Sequence, residues 1–358
     1  MTVTQQPIPT REVAGRTVVR LTRPRVSVVL RPRLLLANAG LAVAVGAVFC
    51  LGVARGGLSV PVLDVIPALW GSGDRTTLLV VRELRLPRAL VGLLAGAAFG
   101  LSGSLFQNLT RNPLASPDMI GITQGAGAAV VAGMVLGVGP GLGTQTLGLV
   151  GGLLVAALIY LLAWNRGTTG YRIVLVGIGM SWMCTSATEY LLTEAEIHEA
   201  HKALGWLVGN LNGRTWTQVR PLALAVALLF PVALLLHHWV RTLQLGDEVA
   251  TGLGTPVQTA RLALLLTGVA LVAFGTAAAG PVTFVALASP QIAQRLCGTA
   301  APPLLASALT GSLVVLCGDL VARELPGTEL PVGVVTGVLG APLLLWLLVR
   351  ANRAGSGG

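Results

Sequence analysis

The chain has few of the residues that enzymes and metal proteins use. Of its 358 residues only 11% are charged and 4% are aromatic, and Lys202 is its one lysine. Neither a G-x-x-x-x-G-K-[ST] phosphate-binding loop nor a His-Glu-x-x-His zinc pair occurs in it. The sequence therefore predicts no catalytic residue, no metal site and no cofactor bound by this chain.

Cysteine is also scarce. The four cysteines stand singly within apolar runs, without the spacing of a disulfide framework or a zinc site, and are expected to be small buried side chains. His198 and His201 lie beside several glutamates, so a surface metal site is conceivable. A solvated external helix is the simpler interpretation of that segment.

Apolar residues are abundant instead. They make up 54% of the chain, the mean hydropathy is +0.79, and glycine occurs 46 times. Apolar runs of this length predict an all-α integral membrane protein with many spans. The net charge of +10 is mostly arginine scattered between these runs, which fits membrane topology better than nucleic-acid binding.

The apolar runs divide the chain into three parts. Residues 1–33 form a basic tail with seven arginines, expected to be disordered, cytoplasmic and attracted to anionic membrane lipid. Residues 34–350 hold the membrane domain, and residues 351–358 form a flexible C-terminal tail. The domain is predicted to contain ten spans, at 34–54, 87–109, 118–138, 146–164, 171–192, 219–239, 260–279, 282–297, 303–321 and 333–349. The eighth is short and polar, so it is expected to be buried in protein.

The arginine distribution predicts that both termini are cytoplasmic. Arg82, Arg85 and Arg88 then fall on the external side, against the usual bias, and need a separate explanation. Glu189 and Asp319 are predicted near the external ends of their spans, and Asp319 is placed to pair with Arg323 one helical turn later. The lack of carboxylate pairs in mid-membrane argues against an ion-coupled secondary transporter, which is the alternative from a different functional class.

Two segments carry distinctive patterns. The second span has glycines at 92, 96, 100 and 103, which suit close helix contacts or a cavity wall, and amide and arginine side chains surround its end. Residues 245–254, LGDEVATGLG, form a glycine-bounded turn and short helix between two spans. Its two acids stand at the helix start, where the helix dipole favours negative charge. This segment is suited to contact a partner protein.

Several motifs together resemble the permease subunits of vitamin B12 and iron–siderophore ABC importers. They are RLPRALVGLLAGAAFGLSGSLFQNLTRNPLASPDMIG at 85–121, WLVGNLNGRTW at 206–216, LGDEVATGLG at 245–254, AGPVTFVALASPQIAQRLCG at 279–298 and DLVARELPGTELPVGVVTGVLGAP at 319–342. In order and spacing they cover residues from about 34 to 350. Within this family the chain is most similar to the permease partner of ferric enterobactin systems.

The resemblance implies the ten-helix fold of type II ABC importers in a bacterial cytoplasmic membrane. It also implies a second permease chain, homologous but different, two cytoplasmic ATPase subunits that hold ATP and Mg, and an external binding protein. The cargo would be a ferric siderophore, with a catecholate type favoured and vitamin B12 or haem as the alternative within the family. ATP hydrolysis would belong to the partners and not to this chain.

The same resemblance implies roles for individual residues. Those matching positions that dock the binding protein are Arg85, Arg88 and Arg323. The coupling helix to the ATPase would contain Gly246, Asp247, Glu248, Gly252 and Gly254. The translocation pathway would be lined by Gly96, Gly100, Gln107, Asn108 and Asn112. A gate would contain Gly167, Thr168 and Thr169, although a flexible turn is an equally good interpretation there.

One position departs from the family pattern. Where the family usually has Pro-His, this chain has Pro290-Gln291. Glutamine keeps the hydrogen bonding of histidine but does not titrate. The sequence therefore predicts a structural role for Gln291.

Overall fold

The protein is a bundle of helices, and each predicted span corresponds to a helix. The computed structural model describes residues 11–13, 16–21, 26–55, 67–68, 70–138, 143–164, 170–324 and 330–355. The helices are α1 Pro32–Ala54, α2 Arg75–Leu78, α3 Leu86–Thr110, α4 Ile122–Val135, α5 Thr144–Ala163, α6 Gly170–Glu194, α7 Ile197–Leu207, α8 Trp216–Leu235, α9 His237–Leu243, α10 Asp247–Gly252, α11 Val257–Ala279, α12 Val285–Cys297, α13 Leu304–Glu324 and α14 Val332–Gly355. A π-helical turn, Leu79–Arg85, leads into α3, and a 3-10 turn, Pro117–Ile120, precedes α4.

Six helical stretches of the described chain are long and apolar enough to cross a membrane. These are Pro32–Ala54, Arg75–Thr110, Thr144–Ala163, Trp216–Leu235, Val257–Ala279 and Leu304–Glu324. Ile122–Val135 and Val332–Pro342 are shorter apolar helices of the same kind. The all-α membrane fold predicted from the sequence is confirmed.

Helix α3 lies at the centre of the bundle. It packs against α13, α11 and α12, and most of its side chains are buried. Pro87 in its first turn has no N–H to leave unsatisfied, which suits a helix start. The helix ends at Arg111, whose backbone adopts the left-handed conformation at φ 53°.

Small residues allow α3 and α13 to approach backbone to backbone. A Cβ atom added to Gly96 would lie 2.5 Å from the carbonyl oxygen of Gly311, and one added to Gly100 would overlap the carbonyl oxygen of Ser307. The predicted close helix contact is therefore confirmed. The pathway-lining role predicted for Gly96 and Gly100 is wrong, because both face the α13 backbone inside the protein.

The third span is not the continuous helix predicted at 118–138. The chain re-enters the bundle through the 3-10 turn, turns at Gly121 with φ 90°, and only then begins α4. A Cβ atom on Gly121 would lie 3.0 Å from the backbone nitrogen of Ser181, near the middle of α6. Asp118 therefore lies deep in the bundle and not at the membrane surface.

Three other boundaries differ from the sequence prediction. The sixth span ends at Leu235, and α9 begins after a break at Leu236, so the predicted range 219–239 spans two helices. Helix α14 extends to Gly355 and includes most of the tail that was predicted to be flexible. The eighth span, α12, has 13 residues and is mostly buried, as expected of a short polar helix inside protein.

The basic N-terminal tail also differs from its prediction. Three short strands, β1 Arg11–Val13, β2 Arg16–Leu21 and β3 Val26–Leu30, pair antiparallel in the order β1-β2-β3. The register places Val19 opposite Val28 and Val18 opposite Val29. Valine favours strands because its branched side chain packs on a pleated surface, and this valine content outweighed the arginine content on which disorder was predicted.

Candidate functional site

The end of the bundle where α3 begins holds a cluster of arginines around one acid. The Nε and Nη2 atoms of Arg88 donate to Oδ1 of Asp319 at 3.0 and 2.9 Å. Arg323 forms an ion pair with the other oxygen, Oδ2, from one turn further along α13. The predicted pairing of Asp319 with Arg323 is confirmed. Arg88, which is distant in the sequence, binds the same carboxylate.

The same cluster fastens α1 to the bundle. Arg85 donates to the carbonyl oxygens of Val53 and Ala54 at 3.2 and 2.8 Å, and Arg323 donates to that of Gly52 at 3.1 Å. These carbonyls belong to the last turn of α1, where no further helical N–H is available to them. The arginines thus close the end of α1 and hold it against α3 and α13.

This geometry changes how the docking prediction is understood. Arg85 is 6% exposed, and the side chains of Arg88 and Arg323 are 13% and 10% exposed. The sequence places them as receptors on an external surface, whereas the structure places them largely inside the protein with partners in this chain. Arg85, Arg88 and Arg323 therefore bind groups of this chain at this end of the bundle, and their docking role stays a prediction.

The opposite end of α3 carries a network of amide side chains. Gln291 donates to Oε1 of Gln107 at 2.6 Å, and Gln107 donates to the carbonyl oxygen of Leu287 at 3.0 Å. Asn108 donates to the carbonyl oxygen of Pro302 at 3.1 Å and accepts a hydrogen bond from Gln244. The network joins α3, α12 and the segment after α9. Gln291 therefore acts in the structure through amide hydrogen bonds.

A cavity of about 400 Å³ lies beside this network. Gln107 and Asn108 line it, as predicted for the pathway, together with Arg111, Pro113, Gln244, Gln291, Gln294, Ala300, Ala301 and Pro302. Asn112 does not belong to its lining. Its side chain is exposed and accepts a hydrogen bond from the backbone of Leu114 at 2.9 Å, which shapes the turn after α3.

The short helix predicted within residues 245–254 is present as α10, and its coupling role stays a prediction. Gly246 begins it with φ 102°, and Gly254 follows its end with φ 81°, both in a region that favours glycine. Leu245, Val249 and Leu253 of this segment are exposed. Glu248 is also exposed, whereas Asp247 contacts arginines of this chain.

Two adjoining cavities, of about 330 and 600 Å³, lie against α6. Asp118, Gln124, Thr185 and Thr283 line both, and Glu189 lines the smaller one. Thr123 donates to Oδ1 of Asp118 at 2.9 Å, and Ser116 donates to Oδ2 at 3.3 Å. Hydroxyl donors hold this carboxylate at the start of α4.

Asp118 is the residue of this region that sequence reasoning missed. Only Glu189 and Asp319 were considered among the acids within spans, and no role was predicted for Asp118. Ser-Pro-Asp followed closely by Gly121 is a turn signal that could have located the broken helix.

Gly167, Thr168 and Thr169 of the predicted gate lie outside the described residues. Within the part of the chain that is described, no group of three or more His, Cys, Asp or Glu side chains is arranged to hold a metal ion.

Comparison with known proteins identifies the family. The chain is 42% identical over 304 residues to the ferric enterobactin transport permease FepG of Escherichia coli K12, covering 84% of this chain and 92% of that protein. It is 35% identical over 315 residues to the iron(3+)-hydroxamate import permease FhuG of Bacillus subtilis 168, covering 85% and 94%. It is 36% identical over 293 residues to the vitamin B12 import permease BtuC of Yersinia enterocolitica, covering 80% and 86%.

A solved structure shares the fold. It is described as an inward-facing conformation of a metal-chelate type ABC transporter, and it aligns with a TM-score of 0.74 at 24% identity, covering 88% of this chain and 99% of that one. The model of the FecCD transport family matches residues 43–350. The chain belongs to the FecCD transport family and is a multi-pass permease subunit of an ABC transporter whose ATPase activity lies on partner subunits.

Proposed function

We propose that this chain is the permease of a bacterial ATP-driven importer that carries a ferric siderophore from an external binding protein into the cytoplasm. The main observation in support is the sequence similarity, over most of the chain, to permeases named for iron chelates. The amide-lined cavity and the two cavities along α6, which Asp118 and Gln124 line, are consistent with a route for the cargo.

The chemical class of the siderophore is a finer part of the proposal. Similarity to the ferric enterobactin permease favours the catecholate class expected from the sequence. Similarity to permeases named for iron hydroxamate and for vitamin B12 makes these the other classes to test. Because relatives of similar sequence are named for different cargoes, selectivity is assigned mainly to the binding protein.

The proposal assigns each end of α3 to one partner. The end with Arg88 would face the binding protein, and the end with α10 would face the ATPase, so both termini would be cytoplasmic. The exposed side chains of Leu245, Val249 and Leu253 offer apolar contacts for a groove on the ATPase. ATP and Mg would be bound by two ATPase subunits, and a second, homologous permease chain would complete the pathway.

Uptake in whole cells tests the cargo. A strain without this chain is expected to lose uptake of one radiolabelled ferric siderophore class, and a plasmid copy is expected to restore it, because no other subunit supplies this half of the pathway. The measurement is time-dependent accumulation of catecholate, hydroxamate and cobalamin ligands, with and without the copy.

Two controls separate the alternatives. Removal of the ATPase partner should abolish the same uptake, while collapse of the ion gradient at maintained ATP should not. Uptake that follows the ion gradient would instead support an ion-coupled transporter, for which Asp118 would be the first residue to test. Unchanged uptake of every ligand in a strain with no second importer would contradict the siderophore assignment.

A further inference from the structure

We propose that Asp247 is a positioning residue that ties the segment 245–254 to α11 and α3, so that movement of this segment is transmitted to the membrane helices. The proposal rests on the proposed function, because it assigns the segment to the ATPase contact. It departs from the sequence prediction, in which the charge of Asp247 lies close to the ATPase itself.

The first observation is the pairing of Asp247 with Arg261. Nη2 of Arg261 lies 2.8 and 2.7 Å from the two oxygens of Asp247. Arg261 stands in the second turn of α11 and is 7% exposed, so the carboxylate reaches back to a buried group of a membrane helix. A charge-assisted hydrogen bond of this kind is stronger than a neutral one and fixes the position of its partners.

The second observation is a contact with the end of α3. Nη2 of Arg111 lies 3.5 Å from Oδ1 of Asp247. Arg111 ends α3 with a left-handed backbone that residues other than glycine seldom adopt. The backbone turn that ends α3 therefore belongs to the same residue whose side chain reaches the segment, so a displacement of α10 acts directly on the end of α3.

A third contact holds the segment just before α10. Gln244 donates to Oδ1 of Asn108, and Asn108 is 4% exposed and bonded to the carbonyl oxygen of Pro302. The segment is thus joined to α3 on two sides of Gly246, through Asn108 and through Arg111. A short helix held at one point could rotate about that point. Two attachments to α3 make the segment and the end of α3 move together.

The partner face lies elsewhere on the segment. Leu245, Val249 and Leu253 are 60%, 50% and 61% exposed, and they remain available when Asp247 is bound to Arg261. These three side chains are available to the ATPase, whereas Asp247, whose side chain is 46% exposed, is bound by Arg261 and Arg111. Removing Asp247 should leave the ATPase bound but reduce the work it performs on the membrane helices.

Charge exchange within the complete transporter in vesicles tests this. Asp247→Arg and Arg261→Asp singly should lower siderophore import per ATP hydrolysed by about tenfold. The double exchange should recover part of this loss, because the contact between positions 247 and 261 is restored with opposite polarity while Arg111 then faces a like charge. ATPase subunits should co-purify with all three variants. Arg241→Asp makes the same charge change as Arg261→Asp, at an exposed position of α9, and should leave the import per ATP hydrolysed unchanged.

The outcomes discriminate clearly. Loss of the ATPase subunits from Asp247→Arg would overturn the proposal in favour of direct docking. A double exchange that imports no more siderophore per ATP than Asp247→Arg alone would overturn it as well. A wild-type transporter that hydrolyses ATP but imports none of the siderophores would refute the proposed cargo alone. In that case a cargo-independent measurement remains, the distance between spin labels at Thr251 and Asn112. It should stay fixed between nucleotide states in the wild type and spread in Asp247→Arg; equal behaviour of the two would overturn the proposal.

Discussion

Replacing Asp319 with asparagine should remove most of the folded protein from detergent extracts. The substitution deletes a negative charge that Arg88 and Arg323 both contact, while their side chains stay almost buried. Removal of one partner from a buried ion pair costs about 3–5 kcal/mol, because the remaining charge has lost its compensation in a poorly solvated place. Thermal unfolding of the purified protein, followed by size-exclusion chromatography, measures the effect.

A neighbouring acid provides the control. Glu324 is exposed and lies at the end of the same helix, so Glu324→Gln should leave the unfolding temperature close to that of the wild type. Replacing both members of the pair, Asp319→Leu with Arg323→Met, should recover part of the loss because no buried charge is created at position 323. An Asp319→Asn protein as stable as the wild type would show that the cluster does not hold this end together.

The same experiment bears on the docking prediction for the three arginines, which stays a prediction. If Asp319→Asn leaves a folded transporter that binds its partner more tightly, the arginines are receptors that Asp319 normally restrains. If instead the unfolding temperature falls and partner binding falls only in proportion to the loss of folded protein, the three arginines act inside this chain. The internal bonds of Arg85 and Arg323 to the end of α1 favour the second result.

Hydropathy located the helices because a membrane crossing needs a run of apolar residues of known length. The matches at Pro32–Ala54, Leu86–Thr110 and Val257–Ala279 follow from that requirement alone. Hydropathy does not show, however, how deeply a residue lies within the helix bundle. Gly121 is apolar enough to sit inside a span, and its positive φ, which breaks the third span, depends on contact with α6.

Side-chain partners were predictable only where both lie on one helix. Asp319 and Arg323 are one turn apart, so their pair follows from helical geometry. Arg88 is 231 positions from Asp319, and only the packing of α3 on α13 brings them together. For the same reason the inward direction of Asp247 was missed: its partner Arg261 is 14 positions away, across a turn.

The glycines of α3 illustrate a third limit. Their spacing predicts a smooth face but does not say whether a helix or a cavity lies against it. At position 100 the answer is a helix, since a Cβ atom would overlap the carbonyl oxygen of Ser307. The contact predicts that a glycine-to-alanine change at this position destabilises the protein, although the same change usually stabilises a helix.

Gly100→Ala should destabilise the protein, whereas the same change in an unpacked helix stabilises it by about 1 kcal/mol. The added methyl meets backbone atoms, which cannot rotate away as a side chain can, so α3 and α13 must separate along their length. Overpacking of this kind costs about 1–3 kcal/mol and sometimes more, and the loss of the surrounding close contacts adds to it. We expect a lower unfolding temperature and a smaller yield of assembled transporter.

Gly46→Ala is the matched control, because Gly46 lies within α1 and a Cβ atom there would meet no atom within 4 Å. It should unfold at the wild-type temperature or slightly above, since alanine is the better helix former. The pair of variants therefore separates helix propensity from packing at constant chemistry. A Gly100→Ala protein that matches Gly46→Ala in stability would mean that α3 and α13 do not touch at this position, and the central contact of the fold would have to be reassigned.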